Sequence, residues 1–285
     1  MIEKAQDPGS VQLTNSGELT LFFIGCGSAF SRTMNQNNLL IVKGDQHLLV
    51  DCGTKTPQAL YGLQIELAGI ENFLITHSHA DHIGGLEEVM MINRYLTGNK
   101  PNIIINEEYQ DILWNHSLRG GAAYSELRNG QPLGFEDFWR AQRPQRVEGT
   151  ERETWHTTLG DLDIVMPRTM HFPDNAESWR DSFWSCGVLI DERVLFTSDT
   201  RFDPQLLSEL DQRYDLDLIF HDCQFFNGGV HASLEELATL PAELKGRMVL
   251  MHYGDNWQQF ESQVTEAGFR GFVKQGHSYT LPARA

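Results

Sequence analysis

The sequence predicts an α/β protein built on sheets, with its chemistry at the ends of the strands. Two observations carry that prediction. Apolar runs of strand length recur along the chain and repeatedly stop at a histidine or aspartate: 162–166 leads to His171, 193–198 to Asp199, 216–220 to His221 and Asp222, and 247–251 to His252. Residues 76–82, Thr-His-Ser-His-Ala-Asp-His, place His77, His79, Asp81 and His82 directly after the apolar run 70–75. No packing requirement explains such a density of imidazole and carboxylate, because buried groups of this kind must be desolvated and paired. In an α/β sheet, residues at strand ends converge along one edge, where loops from several strands meet.

Taken in order, residues 1–17 are polar and aperiodic and read as a loosely docked tail. Strands follow at 19–24, 39–42 and 47–50, the last two separated by Lys43, Gly44 and Asp45, so the chain opens as a meander. Helical patterns near 57–67 and 86–96 flank a strand at 72–76, and Gly84-Gly85 supplies the flexible turn before the second helix. Between about 106 and 155 the pattern changes to a helical or irregular insertion with Trp114, Trp139 and several arginines, suited to a lid or a subunit contact. Residues 18–285 are expected to form one domain around this insertion.

Composition narrows the function classes. A chain of 285 residues with 40% hydrophobic content can bury a large core without disulfides. Cys26, Cys52, Cys186 and Cys223 show no paired spacing, and there is no leader-like or membrane-length apolar segment, which gives the expectation of a reduced, cytoplasmic protein without a membrane partner. The net charge of −17 opposes large polyanion footprints, which favours a small substrate over RNA.

The segment His77–Ser78–His79–Ala80–Asp81–His82 resembles the HxHxDH signature of the metallo-β-lactamase superfamily. The resemblance extends from about Leu19 to His277 and implies an αββα four-layer sandwich made of two βα halves. Carried over by motif, it implies that His77, His79 and His171 hold one metal, that Asp81, His82 and His252 hold a second, and that Asp199 bridges them. Imidazole and carboxylate ligands suit zinc, with manganese or iron able to take the same positions. Two such ions about 3.5 Å apart can share a hydroxide nucleophile.

Within that superfamily, Phe220-His221-Asp222-Cys223-Gln224 followed by His231-Ala232-Ser233 is similar to the acidic and histidine boxes of the ribonuclease Z branch, as are 23–29 and 50–53. Asp222 stands where that branch often has glutamate. The branch implies a phosphodiesterase in which Asp81 accepts or orients the proton of the attacking oxygen, and His231, oriented by Asp222, serves the leaving oxygen. It also implies a homodimer, with Trp114 and Trp139 as apolar surface. Two substrates remain open: a small phosphodiester, including the cyclic nucleotides used as immune signals, or a tRNA precursor gripped by Arg119, Arg128, Arg140, Arg143 and Arg146. Another ester class and a non-catalytic metal scaffold are the remaining alternatives. Elsewhere blander readings hold. His47 is a sheet residue, His116 and His156 are surface groups, His221 orients a ligand, His277 either lines the cleft or does not, and 25–28 is a structural turn.

Overall fold

The computed structural model describes residues 1–283. The chain divides into two compact units, one formed by Met1–Gly25, Asn35–Pro144 and the chain from Gly276, the other by Cys26–Met34 and Gln145–Gln275.

The first unit carries an eight-stranded sheet in the order Ile2–Ala5, His277–Leu281, Leu19–Gly25, Asn38–Lys43, Gln46–Val50, Asn72–Leu74, Asn102–Ile104 and Arg140–Gln142. Its first four pairings are antiparallel and its last three parallel. Leu39, Leu40, Ile41 and Val42 are all buried, the unbroken apolar run of a strand covered on both faces. Helix Thr56–Gly62 starts with proline in its first turn, where the missing N–H costs nothing, and lies against Leu19–Gly25.

The second unit repeats the scheme with Gln145–Arg146, Thr154–Leu159, Leu162–Pro167, Val188–Ile190, Val194–Phe196, Leu218–Asp222, Met248–Met251 and Gly271–Phe272. Again four antiparallel pairings precede three parallel ones. Helix Pro204–Tyr214 is capped by the Asp203 carboxylate, which accepts from the Leu206 N–H at 3.0 Å.

Three expectations change. The tail 1–17 is not simply loose, since Ile2–Ala5 pairs with 277–280 through backbone bonds that need no apolar pattern. The segment 106–155 is not a separate insertion: Arg140–Gln142 and Gln145–Arg146 become edge strands of the first and second sheet respectively. Trp114 and Trp139 are buried within the first unit, where Trp139 meets Phe73 edge-on at 5.4 Å and Trp114 meets Phe135 and Phe138 at 6.0 Å, so neither supplies dimer surface. No described helix is long and apolar enough to cross a membrane.

Candidate metal centre

Each unit gathers buried histidines and aspartates at the C-terminal ends of its parallel strands. In the first unit, strand Gln46–Val50 ends at Asp51 and strand Asn72–Leu74 leads through Thr76 to His77 and His79. The short helix Ala80–Ile83 then carries Asp81 and His82. The Asp51 carboxylate accepts from His82 Nδ1 at 2.7 Å, from the Thr76 N–H at 2.8 Å and from the Thr76 hydroxyl at 2.9 and 3.0 Å. Asp51 therefore fixes the His82 ring and leaves Nε2 directed at the Asp81 carboxylate, 3.3 Å away. The His77 and His82 rings lie 4.0 Å apart and His77 Nε2 is 3.1 Å from His79 Nδ1.

Backbone contacts hold the two loops together. Cys52 N–H donates to the His82 carbonyl at 2.7 Å and Gly85 N–H to the Cys52 carbonyl at 2.8 Å. A Cβ at Gly53 would collide with the Asp81 carbonyl, so this close approach requires glycine.

In the second unit, ligand-type atoms of Asp199, Asp222, His231 and His252 all lie within 4.8 Å of one another. Asp199 Oδ2 is 3.4 Å from His252 Nε2, 3.8 Å from His171 Nε2 and 4.0 Å from His231 Nδ1. His171 donates through Nδ1 to the Val230 carbonyl at 2.8 Å, so its Nε2 is the nitrogen presented to Asp199. Asp222 is shared. Its Oδ2 binds His231 Nδ1 at 2.7 Å and the Thr200 N–H at 3.0 Å, while Oδ1 is 3.3 Å from His252 Nδ1.

The loop that bears His231 is pinned at both ends of its turn, with Gln224 N–H bonded to the Ala232 carbonyl and Ala232 N–H to the Thr200 carbonyl. Ser233 then opens helix Leu234–Ala238 with a capping box to Glu236.

Burial pushes His171 down to about 4 despite the neighbouring Asp199, which keeps its imidazole neutral and able to ligate. Burial would also depress His231, but the Asp222 carboxylate outweighs it and the net direction is upward. Burial alone would raise Asp222; His231 and His252 reverse that and hold it below the usual carboxylate range. Asp51, where His82 and the Thr76 hydrogen bonds oppose burial without outweighing it, stays above that range.

Three strands reach this chemistry through a left-handed residue that is not glycine: Asp51 at φ 64°, Ser198, just before Asp199, at 52°, and His252 at 57°. Such conformations cost on the order of 1–3 kcal/mol each and concentrate where side chains must be aimed.

Among the described residues the donors are nitrogen and oxygen, because the four buried cysteines join none of these groups and Cys26 is pushed up to about 11, chiefly by burial. Such a donor set fits zinc, manganese or iron.

Outside these groups, His47 is buried and accepts from the Glu71 N–H at 2.9 Å, His116 is exposed, and His156 pairs with Asp163 at 2.8 Å. His277 opens strand His277–Leu281 and contacts Glu3 of the edge strand Ile2–Ala5 at 3.0 Å. His221 is buried and donates to the neighbouring Asp222 carbonyl at 2.7 Å, so it braces the strand end. Asp51, which holds His82, is a residue that sequence reasoning did not assign; its signal was a carboxylate just after an apolar strand, the same signature that marked Asp199 and Asp222.

A family model described as "Anti-Pycsar protein Apyc1" matches residues 19–279. The anti-Pycsar protein Apyc1 of Bacillus phage 010DV004 is 36% identical over 270 residues, covering 93% of this chain and 98% of the relative. Among solved structures, a diphosphatase of the PhnP family aligns with a TM-score of 0.67 at 15% identity over 93% of this chain and 98% of its own. The short form of human tRNase Z aligns with a TM-score of 0.60 at 17% identity over 93% and 100%. The metallo-β-lactamase fold protein YhfI from Bacillus subtilis aligns with a TM-score of 0.64 at 16% identity over 93% of this chain and 100% of its own, so the chain has the metallo-β-lactamase fold.

Proposed function

The chain belongs to the anti-Pycsar protein Apyc1 family, and from that premise we propose that it is a metal-dependent phosphodiesterase acting on small cyclic nucleotides. Anti-Pycsar proteins degrade cyclic nucleotides. The observation that carries the reading is the group of buried Asp199, Asp222 and His252 with half-buried His231, which combines ligand-type donors with a histidine already paired to its own carboxylate.

In this reading His77, His79 and His171 would hold one divalent ion and Asp81, His82 and His252 a second, with Asp199 available to both sets. Divalent ions held by these residues would supply Lewis acidity for the phosphoryl oxygen and for water. Asp81 accepts or orients the proton of the attacking water. His231, with Nδ1 committed to Asp222, offers Nε2 to the departing oxygen.

The arginines that could have gripped RNA are largely engaged. Arg128 pairs with Asp137 at 2.6 Å, Arg146 with Glu153 at 3.5 Å, and Arg143 donates to the Ile105 carbonyl at 2.9 Å. The two ion pairs reduce the positive charge open to a polyanion, which supports the smaller substrate. A homodimer remains part of the proposal, now on Tyr95, Leu96, Tyr124 and Leu127, exposed residues of the first unit whose two segments are tied by an Arg94–Glu126 ion pair. Light scattering of wild type and Leu96→Asp tests it: a dimer mass that falls to 32.4 kDa in the variant is expected, and a wild-type mass of 32.4 kDa overturns it.

Protein purified without chelator should contain about two transition-metal ions, cleave cyclic nucleotides, lose activity on chelation and regain it with zinc or manganese. Cleavage of an unprocessed tRNA but of no cyclic nucleotide would replace this reading with the nuclease one. One ion or fewer, unrestored by added metal, would remove the two-ion assignment.

A further inference from the structure

We infer that Phe183, paired with Phe172, is a stacking platform for the nucleobase of the substrate, and so a determinant of specificity; the inference rests on the phosphodiesterase reading above. Phe172 directly follows His171, whose ring lies 5.0 Å from that of His231. Both phenylalanines are exposed, Phe172 at 39% and Phe183 at 65%. Their rings sit 5.5 Å apart and tilted by 33°.

A rigid frame maintains that exposure. Phe183 N–H donates to the Phe172 carbonyl at 2.7 Å, closing the intervening segment into an arch. Beneath it the buried Arg168 donates to the carbonyls of Ser182, Phe183 and Ser185 at 3.1–3.2 Å, and its guanidinium lies 4.6 Å from the Trp184 ring centre. Within the arch, the Asp181 carboxylate accepts from the backbone of Glu177 and Ser178 and from the Ser178 hydroxyl, bonds that hold it down to about 2.

A buried cation and a carboxylate thus organise a loop whose apolar rings face water, one residue from a proposed metal ligand. Folding alone gives no reason to fix those rings in the open. A planar heteroaromatic group does, since every base has a π-face and stacking needs no hydrogen-bond code. A cyclic nucleotide carries such a group at one end and the reacting phosphate at the other.

The test is Phe183→Ala beside Phe183→Trp, assayed on a cyclic nucleotide and on ribose 3′,5′-cyclic phosphate lacking the base. Base stacking lost to alanine corresponds to a KM increase on the order of 5- to 150-fold. For the base-bearing substrate that rise is expected with kcat near wild type, together with unchanged kinetics on the base-free one and recovery in the tryptophan variant. Calorimetric titration with a nucleoside monophosphate should show the same loss of affinity without requiring turnover.

Unchanged KM and affinity in Phe183→Ala overturns the platform while leaving the phosphodiesterase reading intact. Equal losses on both substrates, or a drop in mass by light scattering, also overturn it, the latter marking a subunit contact. Should the wild type cleave no cyclic nucleotide, the phosphodiesterase reading fails, and the titration alone decides: weaker binding in the alanine variant supports the platform, equal binding removes it.

Discussion

The two units carry a carboxylate in the same structural role, yet Asp51 supports one histidine and Asp222 supports two. Asp51 divides its oxygens between His82 and Thr76. Asp222 divides its own between His231, which is proposed to meet the leaving oxygen, and His252, which is proposed to bind metal. Both carboxylates are buried, but their protonation equilibria move in opposite directions, up for Asp51 and down for Asp222. Burial raises both groups; the two imidazoles facing Asp222 outweigh it, whereas His82 and Thr76 together do not at Asp51. In the proposed reading, the second unit would join metal binding and proton transfer through the Asp222 side chain, whereas Asp51 in the first would only position His82.

That sharing predicts the largest effect. Asp222→Ala removes the partner of His231 and loosens His252 together, so it should lower kcat more than His231→Ala and also lower metal content. The sequence alone, which assigned Asp222 only to His231, implied the reverse order. Orienting carboxylates behind metal-bound histidines typically account for 10- to 100-fold in metal affinity. Elemental analysis with steady-state rates checks it; an Asp222→Ala protein with full metal content and a milder defect than His231→Ala would show that the contact to His252 is idle.

His231→Ala comes next. A general acid contributes about 10²- to 10⁴-fold, or roughly 3–5 kcal/mol in the barrier, and this loss should appear with metal content intact. It should shrink on a nitrophenyl ester, whose leaving oxygen needs little protonation. Loss of metal, or an equal defect on both substrates, would make His231 a ligand or a binding group instead.

What the sequence disclosed follows from the range of the forces involved. Leu19–Gly25, Asn38–Lys43 and Gln46–Val50 were legible within a residue or two because their apolar runs are themselves the reason they are buried. The residues His77 to His82 were legible because nothing but chemistry explains their density. Ile2–Ala5 was not, because an edge strand of exposed residues is held mainly by backbone bonds to a partner more than 270 residues away. The burial of Trp114 and Trp139 escaped for a similar reason: an aromatic side chain has no periodicity of its own, and its neighbours Phe73, Phe135 and Phe138 are assembled by the fold. Nor could spacing reveal the left-handed turns at Asp51, Ser198 and His252, which are imposed by what the strand ends must aim at.

Asp51→Asn gives the smallest effect and the finest view of the comparison. An asparagine keeps the size of the side chain but replaces one accepting oxygen with an NH2 donor. Asp51 now accepts from His82 on one side and from Thr76 on the other, so no orientation of the amide reproduces both sets of bonds. If the amide nitrogen turns toward His82, that ring loses its support, and affinity for one ion should fall by about 10- to 100-fold while the fold holds. If it turns toward Thr76, a buried N–H is left without its acceptor, and stability should fall by about 1–3 kcal/mol with metal affinity little changed. Metal titration beside thermal melting of the metal-free protein separates the two, and in either case a second ion and the His231 leaving-group dependence should survive. A variant indistinguishable from wild type in both measurements would mean that His82 is held by its helix alone, and that the resemblance between Asp51 and Asp222 is one of position only.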